Sequence, residues 1–164
     1  MKKYLPPFIL IIISTFTSCG QKTFDEKMES LYKKTVPLIK SDSLKPKLDD
    51  VVLLDARAKE EYEISHIKGA RFVDYDDFEV EQVRDIPKDM EVIVYCSVGY
   101  RSERVGEKLQ KAGYSNVKNL YGGIFGWKNE GNEVVVGPND QPTDSVHTYN
   151  RLWGKWLFNG IKVH

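Results

Sequence analysis

The chain has 164 residues, enough for one globular domain with a real core. Hydrophobic residues make up 41% and charged residues 29%, as in an ordinary folded protein, and 24 basic side chains balance 24 acidic ones. That balance leaves no cationic surplus to recruit nucleic acid, and Lys33-Lys34 and Lys108 to Lys111 read as solvated helix faces.

The chain opens on a stretch unlike the rest. Lys2 and Lys3 precede a continuous apolar run from Phe8 to Ile13, and small and polar residues follow to Ser18. This order reads as a secretory signal over 1–18. The apolar run is too short to span a bilayer, which takes about 20 apolar residues. Phe16-Thr-Ser-Cys19 resembles a bacterial lipobox, with Phe16 in place of the usual leucine. The resemblance implies cleavage before Cys19 and its lipidation. The expected product is exported and tethered to a bacterial membrane of the cell envelope, facing the periplasm or the cell surface. The plainer alternative is an unmodified cysteine beside a simple cleavage site. With Cys19 consumed by lipid, Cys96 would have no internal disulfide partner, and an unpaired thiol in an exported chain is worth testing for reactivity.

From Gln21 to Lys34 the chain is polar and helix-prone, with an apolar stripe at Phe24, Met28, Leu31 and Tyr32. Residues 19–35 are expected to form an anchored spacer that packs on the domain. Val36 to Ile39 reads as an edge strand and Ser41 to Leu48 as a short helix or turn interrupted by Pro46. Val51 to Asp55 is a continuous apolar run, the pattern of a buried parallel strand. Lys59 to Ile64 is predicted helical, Ala70 to Asp74 a brief strand, and Asp76 to Val83 an acidic helix. Glu91 to Tyr95 is a second core strand. Ser102 to Lys111 is a helix stopped by Gly113. Val117 to Leu120 is a further strand, and Gly122-Gly123 turns into a short helix over Ile124 to Asn129. Strands alternating with helices predict an α/β domain over 36–131 with a mainly parallel sheet. Beyond it, Gly137 to Asp144 reads as a turn-rich linker. The 132–164 extension carries Tyr149, Trp153, Trp156 and Phe158, aromatics expected to pack on the domain rather than on a partner.

Chemistry concentrates at the end of the second core strand. Val92 to Tyr95 runs into Cys96, a loop with Gly99, then Arg101, and a helix. Active sites of parallel sheets lie beyond the carboxyl ends of their strands. Loop N–H groups and the first helical turn face one concavity there, and the helix end adds roughly half a positive charge. Such a setting favours the thiolate, the nucleophilic form of cysteine. The competing reading is an inert cysteine at a strand end. Three scattered histidines show no metal-site spacing, and Gly122-Gly123 lacks the surroundings of a nucleotide loop, so neither metal nor cofactor is expected.

Four separated pieces resemble the rhodanese family of single-domain sulfurtransferases: Leu53-Leu-Asp-Ala-Arg57, His66-Ile-Lys-Gly-Ala70, Cys96-Ser-Val-Gly-Tyr-Arg-Ser102 and Tyr121-Gly-Gly-Ile-Phe-Gly-Trp127. The resemblance implies a three-layer α/β domain with a central, mainly parallel sheet flanked by helices. It implies transfer of sulfane sulfur from a small anionic donor, thiosulfate or a persulfide, to a thiol or protein acceptor through a Cys96 persulfide. Ser97, Val98, Gly99, Tyr100, Arg101 and Ser102 are the expected substrate-binding residues. Arg101 would stabilise donor or persulfide, Gly99 would let the loop bend, and Ser102 would cap the helix and donate to sulfur. Asp55, Arg57 and His66 are candidate supporting residues, each with a structural role as the plainer alternative. A monomer is expected. Two other readings stay open: a non-catalytic binding module on the same fold, and a phosphatase or arsenate reductase. Related loops of the latter type place five residues between cysteine and arginine, whereas four separate Cys96 from Arg101.

Overall fold

The computed structural model describes residues 23–164. The signal segment and Cys19 lie outside the described residues. Five parallel strands form the central sheet: β1 (Leu38–Ile39), β2 (Val52–Asp55), β3 (Arg71–Phe72), β4 (Glu91–Tyr95) and β5 (Asn116–Leu120), in the order β1-β5-β4-β2-β3. β4 therefore sits centrally, with Val92 opposite Val52 on one side and opposite Val117 on the other. Both faces are covered, which explains the continuous apolar runs of β2 and β4. Val92 and Val94 face a core with Leu54, Val105, Leu109 and Val117, while Ile93 and Tyr95 face one with Leu53, Ile67, Leu120 and Phe125.

The helices are α1 (Phe24–Glu29), α2 (Ser41–Leu44), α3 (Lys59–Ile64), α4 (Tyr100–Lys111), α5 (Gly123–Asn129) and α6 (Arg151–Gly154). α1 is shorter than the sequence predicts. Thr23 caps it, with the Thr23 hydroxyl accepting from Glu26 N–H and the Glu26 carboxylate accepting from Thr23 N–H. The segment after it is tied down by the buried Glu103 of α4, whose carboxylate accepts from the N–H groups of Lys33 and Thr35 at 3.0 Å each. α4 begins two residues before the expected Ser102, because Gly99 at φ +95° turns the chain directly into the helix.

The expected helix over Asp76 to Val83 is not formed. Only a 3-10 turn at Val80–Val83 appears there. Asp74 stands at φ +55°, and its carboxylate accepts from Asp76 N–H at 3.0 Å. That local bond is the kind by which aspartate competes with helix formation.

The linker expected after Gly137 is instead a hairpin. β6 (Val134–Val136) pairs antiparallel with β7 (Gln141–Thr143) around Gly137 and Asp140, both at positive φ. β8 (Ser145–His147) pairs in parallel with β9 (Ile161–Val163), with α6 between them. The extension packs into the domain, since Val134, Val146, Trp156 and Leu157 are buried in the same cluster as Met28, Ile93 and Phe125.

Candidate active site

Cys96 follows the last residue of β4, and its side chain is buried at the floor of a pocket of about 420 Å³. Gly99 N–H donates to Cys96 Sγ at 3.1 Å. Ser97, Val98 and Gly99 make the turn between β4 and α4. Three parts of the chain fix this turn from behind. Ile124 N–H and Phe125 N–H donate to the Cys96 and Ser97 carbonyls at 2.9 and 3.1 Å. The close approach of α5 requires Gly123, at φ +55°, where a Cβ would collide with the Cys96 carbonyl. The buried Tyr32 hydroxyl donates to the Val98 carbonyl at 2.7 Å and accepts from Gly122 N–H at 2.8 Å. Burial pushes that phenol far up, so it stays a neutral donor. Asn119 of β5 donates to the Gly99 carbonyl at 2.8 Å.

Ser102 does not do what the sequence suggests. Gly99 is the helix cap, and the fully buried Ser102 hydroxyl donates to Asn119 Oδ1 at 2.7 Å. It orients the amide that holds the loop and makes no bond to sulfur.

Arg101 lines the pocket, but its charge is already engaged. Its guanidinium donates twice to Glu61 of α3, at 2.7 and 2.9 Å, and once to Ser97 Oγ at 2.9 Å. Ser97 Oγ in turn donates to Glu61 at 2.7 Å. Burial pushes the Glu61 carboxyl up, and the bonds and charge of Arg101, the Ser97 hydroxyl and the Arg57 charge outweigh it and bring it below the usual carboxylate range. Burial disfavours the Arg101 cation, and Glu61 and the nearby Cys96 sulfur reverse that, so it is held firmly charged.

The supporting candidates lie apart from the pocket. Arg57 is fully buried; it donates to Asp55 at 2.6 Å and to the Ser65 carbonyl at 2.6 Å, which joins the end of β2 to the end of α3. His66 stacks on Tyr62 with ring centroids 4.1 Å apart, and its backbone pairs with Val135. That pairing fastens the turn after α3 to the C-terminal extension. Among the described residues, no group of three or more His, Cys, Asp or Glu could hold a metal ion.

Of the sequence-designated residues, Cys96, Ser97, Val98, Tyr100 and Arg101 line the pocket together, and Gly99 supplies the N–H to sulfur. Sequence reasoning missed Glu61, one of two adjacent glutamates opening α3 with nothing local to mark it. It also missed the rest of the wall: Leu31, Tyr75, Asp76, and Tyr149 and Trp153 from the extension. The aromatic density of that extension was the available signal.

A parallel α/β sheet whose central strand delivers a cysteine into a tight loop with a backbone N–H on its sulfur, and with an arginine in the first turn of the helix that follows, defines a class of cysteine-loop domains. The profile described as Rhodanese-like domain matches residues 41–130. The chain belongs to the rhodanese-like domain family. A sulfurtransferase from Allochromatium vinosum is 35% identical over 101 residues, which cover 60% of this chain and 94% of that protein. A tRNA uridine(34) hydroxylase from Listeria welshimeri is 38% identical over 88 residues, but the match spans only 28% of its length. Among solved structures, a rhodanese-related protein from Thermoplasma volcanium superposes with a TM-score of 0.56 at 26% identity, covering 62% of this chain and 99% of that one. A thiosulfate sulfurtransferase from Pseudomonas aeruginosa gives 0.58 at 26% identity, covering 71% of this chain and 23% of that one.

Proposed function

We propose that this protein is a sulfurtransferase that carries sulfane sulfur on Cys96. The observation that carries the reading is the Gly99 N–H aimed at Cys96 Sγ at the floor of an open pocket, beside Arg101. In the first half-reaction the Cys96 thiolate attacks the outer sulfur of an anionic donor, thiosulfate or a persulfide. A bond forms from Sγ to that sulfur, the donor's S–S bond breaks, and sulfite or a thiolate leaves with the electron pair. In the second, a thiol, protein or cyanide acceptor attacks the outer sulfur and the Cys96 thiolate departs. The persulfide is thus a reversible cap. The Gly99 N–H stabilises anionic sulfur without a proton relay, and Arg101 holds the Ser97 side of the loop through its bond to Ser97 Oγ. The four-residue span from Cys96 to Arg101 suits this chemistry better than a phosphate cradle. We further propose export and lipid anchoring through Cys19, on the N-terminal sequence pattern alone.

The test is intact mass after incubating the reduced protein with thiosulfate and, separately, with a small persulfide. The expected result is gain of one sulfur atom, removed by cyanide and absent in Cys96→Ser. No gain with either donor would overturn the reading in favour of a binding module.

A further inference from the structure

The pocket is not shaped or charged for a small inorganic dianion. Its volume of about 420 Å³ falls in the range of roughly 300–1,000 Å³ typical of organic-ligand sites. Tyr75, Tyr100, Tyr149 and Trp153 line it together with Leu31 and Val98. Arg101 is the one cation among the described lining residues, and it is spent on a bidentate pair with the buried Glu61. Asp76 stands in the same wall. A dianion entering here would meet a neutralised arginine, a second carboxylate and aromatic faces.

The extension that brings two of these aromatics is built to hold them there. Tyr149 sits at φ +62°, a conformation unusual for a bulky residue. Its N–H donates to His147 Nδ1 at 3.1 Å, and its ring faces the Arg101 guanidinium at 5.9 Å. Trp153 packs on the core cluster, and its N–H is capped by Asn150 Oδ1 at 3.1 Å. These two rim aromatics are therefore contributed by residues beyond the family match at 41–130.

We infer that the sulfur donor of this protein is an organic persulfide with an apolar or aromatic body, held by the Tyr149–Trp153 rim with its terminal sulfur towards Cys96. The inference rests on the sulfur-transfer reading above. In the exchange the Cys96 thiolate attacks the terminal sulfur of R–S–S⁻, the Sγ–S bond forms, and R–S⁻ leaves with the electrons of the broken S–S bond. R–S⁻ then takes a proton from solvent. No outside oxidant or reductant enters.

The experiment compares kcat/KM for Cys96 sulfur loading by benzyl persulfide, cysteine persulfide and thiosulfate in the full chain. Cys96→Ser supplies the background. The expected result is a preference for benzyl persulfide over both other donors of about tenfold, of which Tyr149→Ala and Trp153→Leu each remove about fivefold, as loss of aromatic contact predicts. Tyr149 is exposed, so its truncation leaves the core intact, and Trp153→Leu keeps an apolar side chain on the cluster. A folding failure in one variant leaves the other to decide. Loading by all donors with no preference, or a preference that survives both substitutions, overturns the inference and leaves sulfur transfer standing. Loading by no donor overturns both.

Discussion

Glu61 shows how one buried acid decides what its neighbours do. It is 2% exposed at its side chain, accepts two bonds from Arg101 and one from Ser97, and so fixes both pocket residues relative to Cys96. Removing one partner of a buried pair leaves an uncompensated charge, so Glu61→Gln should cost about 3 kcal/mol in urea unfolding. It should also free Arg101 and increase the share of thiosulfate in donor use. The pH dependence follows from the lowered Glu61 pKa. The unfolded carboxyl titrates near about 4.3, above the folded value, so the contribution is present in full above that pH. It is lost as pH falls through the folded value. Wild type should therefore lose stability steeply below about pH 4, and Glu61→Gln should show a shallower slope there. Equal slopes in the two proteins would count against the pair. Gly123 is decisive in a different way. Any side chain there meets the Cys96 carbonyl and must also adopt φ +55°. Gly123→Ala should destabilise by at least about 2 kcal/mol and slow Cys96 loading by displacing the loop, as thermal unfolding and loading rates would show.

At the scale of elements, the turn from β4 into α4 was legible because its chemistry is contiguous. An apolar run, a cysteine, a glycine, an arginine and a helix follow one another, and the structure keeps that order around one sulfur. The partners from other elements were not legible. Glu61 arrives from α3, Asn119 from β5, Tyr32 from the segment after α1, and no local pattern distinguishes them from surface or core residues. Ser102 was misread for the same reason: its position suggested a cap, and only the arrival of Asn119 gives its hydroxyl another acceptor. The acidic 76–83 stretch failed because a single Asx turn at Asp74 outcompeted a short helix. Asn119 now carries a prediction. It accepts from Ser102 and donates to the Gly99 carbonyl, both while fully buried. Asn119→Leu strands two polar groups at about 1–3 kcal/mol each. The loss should appear as a lowered melting temperature together with slower loading, since the loop that positions Gly99 N–H is loosened.

For the whole molecule, the question is why a family whose Allochromatium vinosum member matches over 94% of its length within 101 residues carries a further C-terminal segment here. The answer lies on one face of the sheet. Ile93, Tyr95, Leu53 and Leu120 present that face, and Val134, Val146, Trp156 and Leu157 from the extension cover it together with Met28. A face so apolar is not left to water, so the extension is part of the core that also positions the pocket rim. Leu157 is the sharpest probe, being fully buried in a segment outside the family match. Leu157→Ala should cost about 2–5 kcal/mol, the range for a core leucine. Removal of 138–164 takes away Val146, Trp156 and Leu157 at once. The remainder should keep its far-ultraviolet circular dichroism, lose near-ultraviolet signal and bind a hydrophobic dye, the marks of lost side-chain packing. If the shortened chain instead unfolded cooperatively with stability close to the full chain, the extension would be an appendage, and its aromatic rim would have no rigid base from which to select a donor.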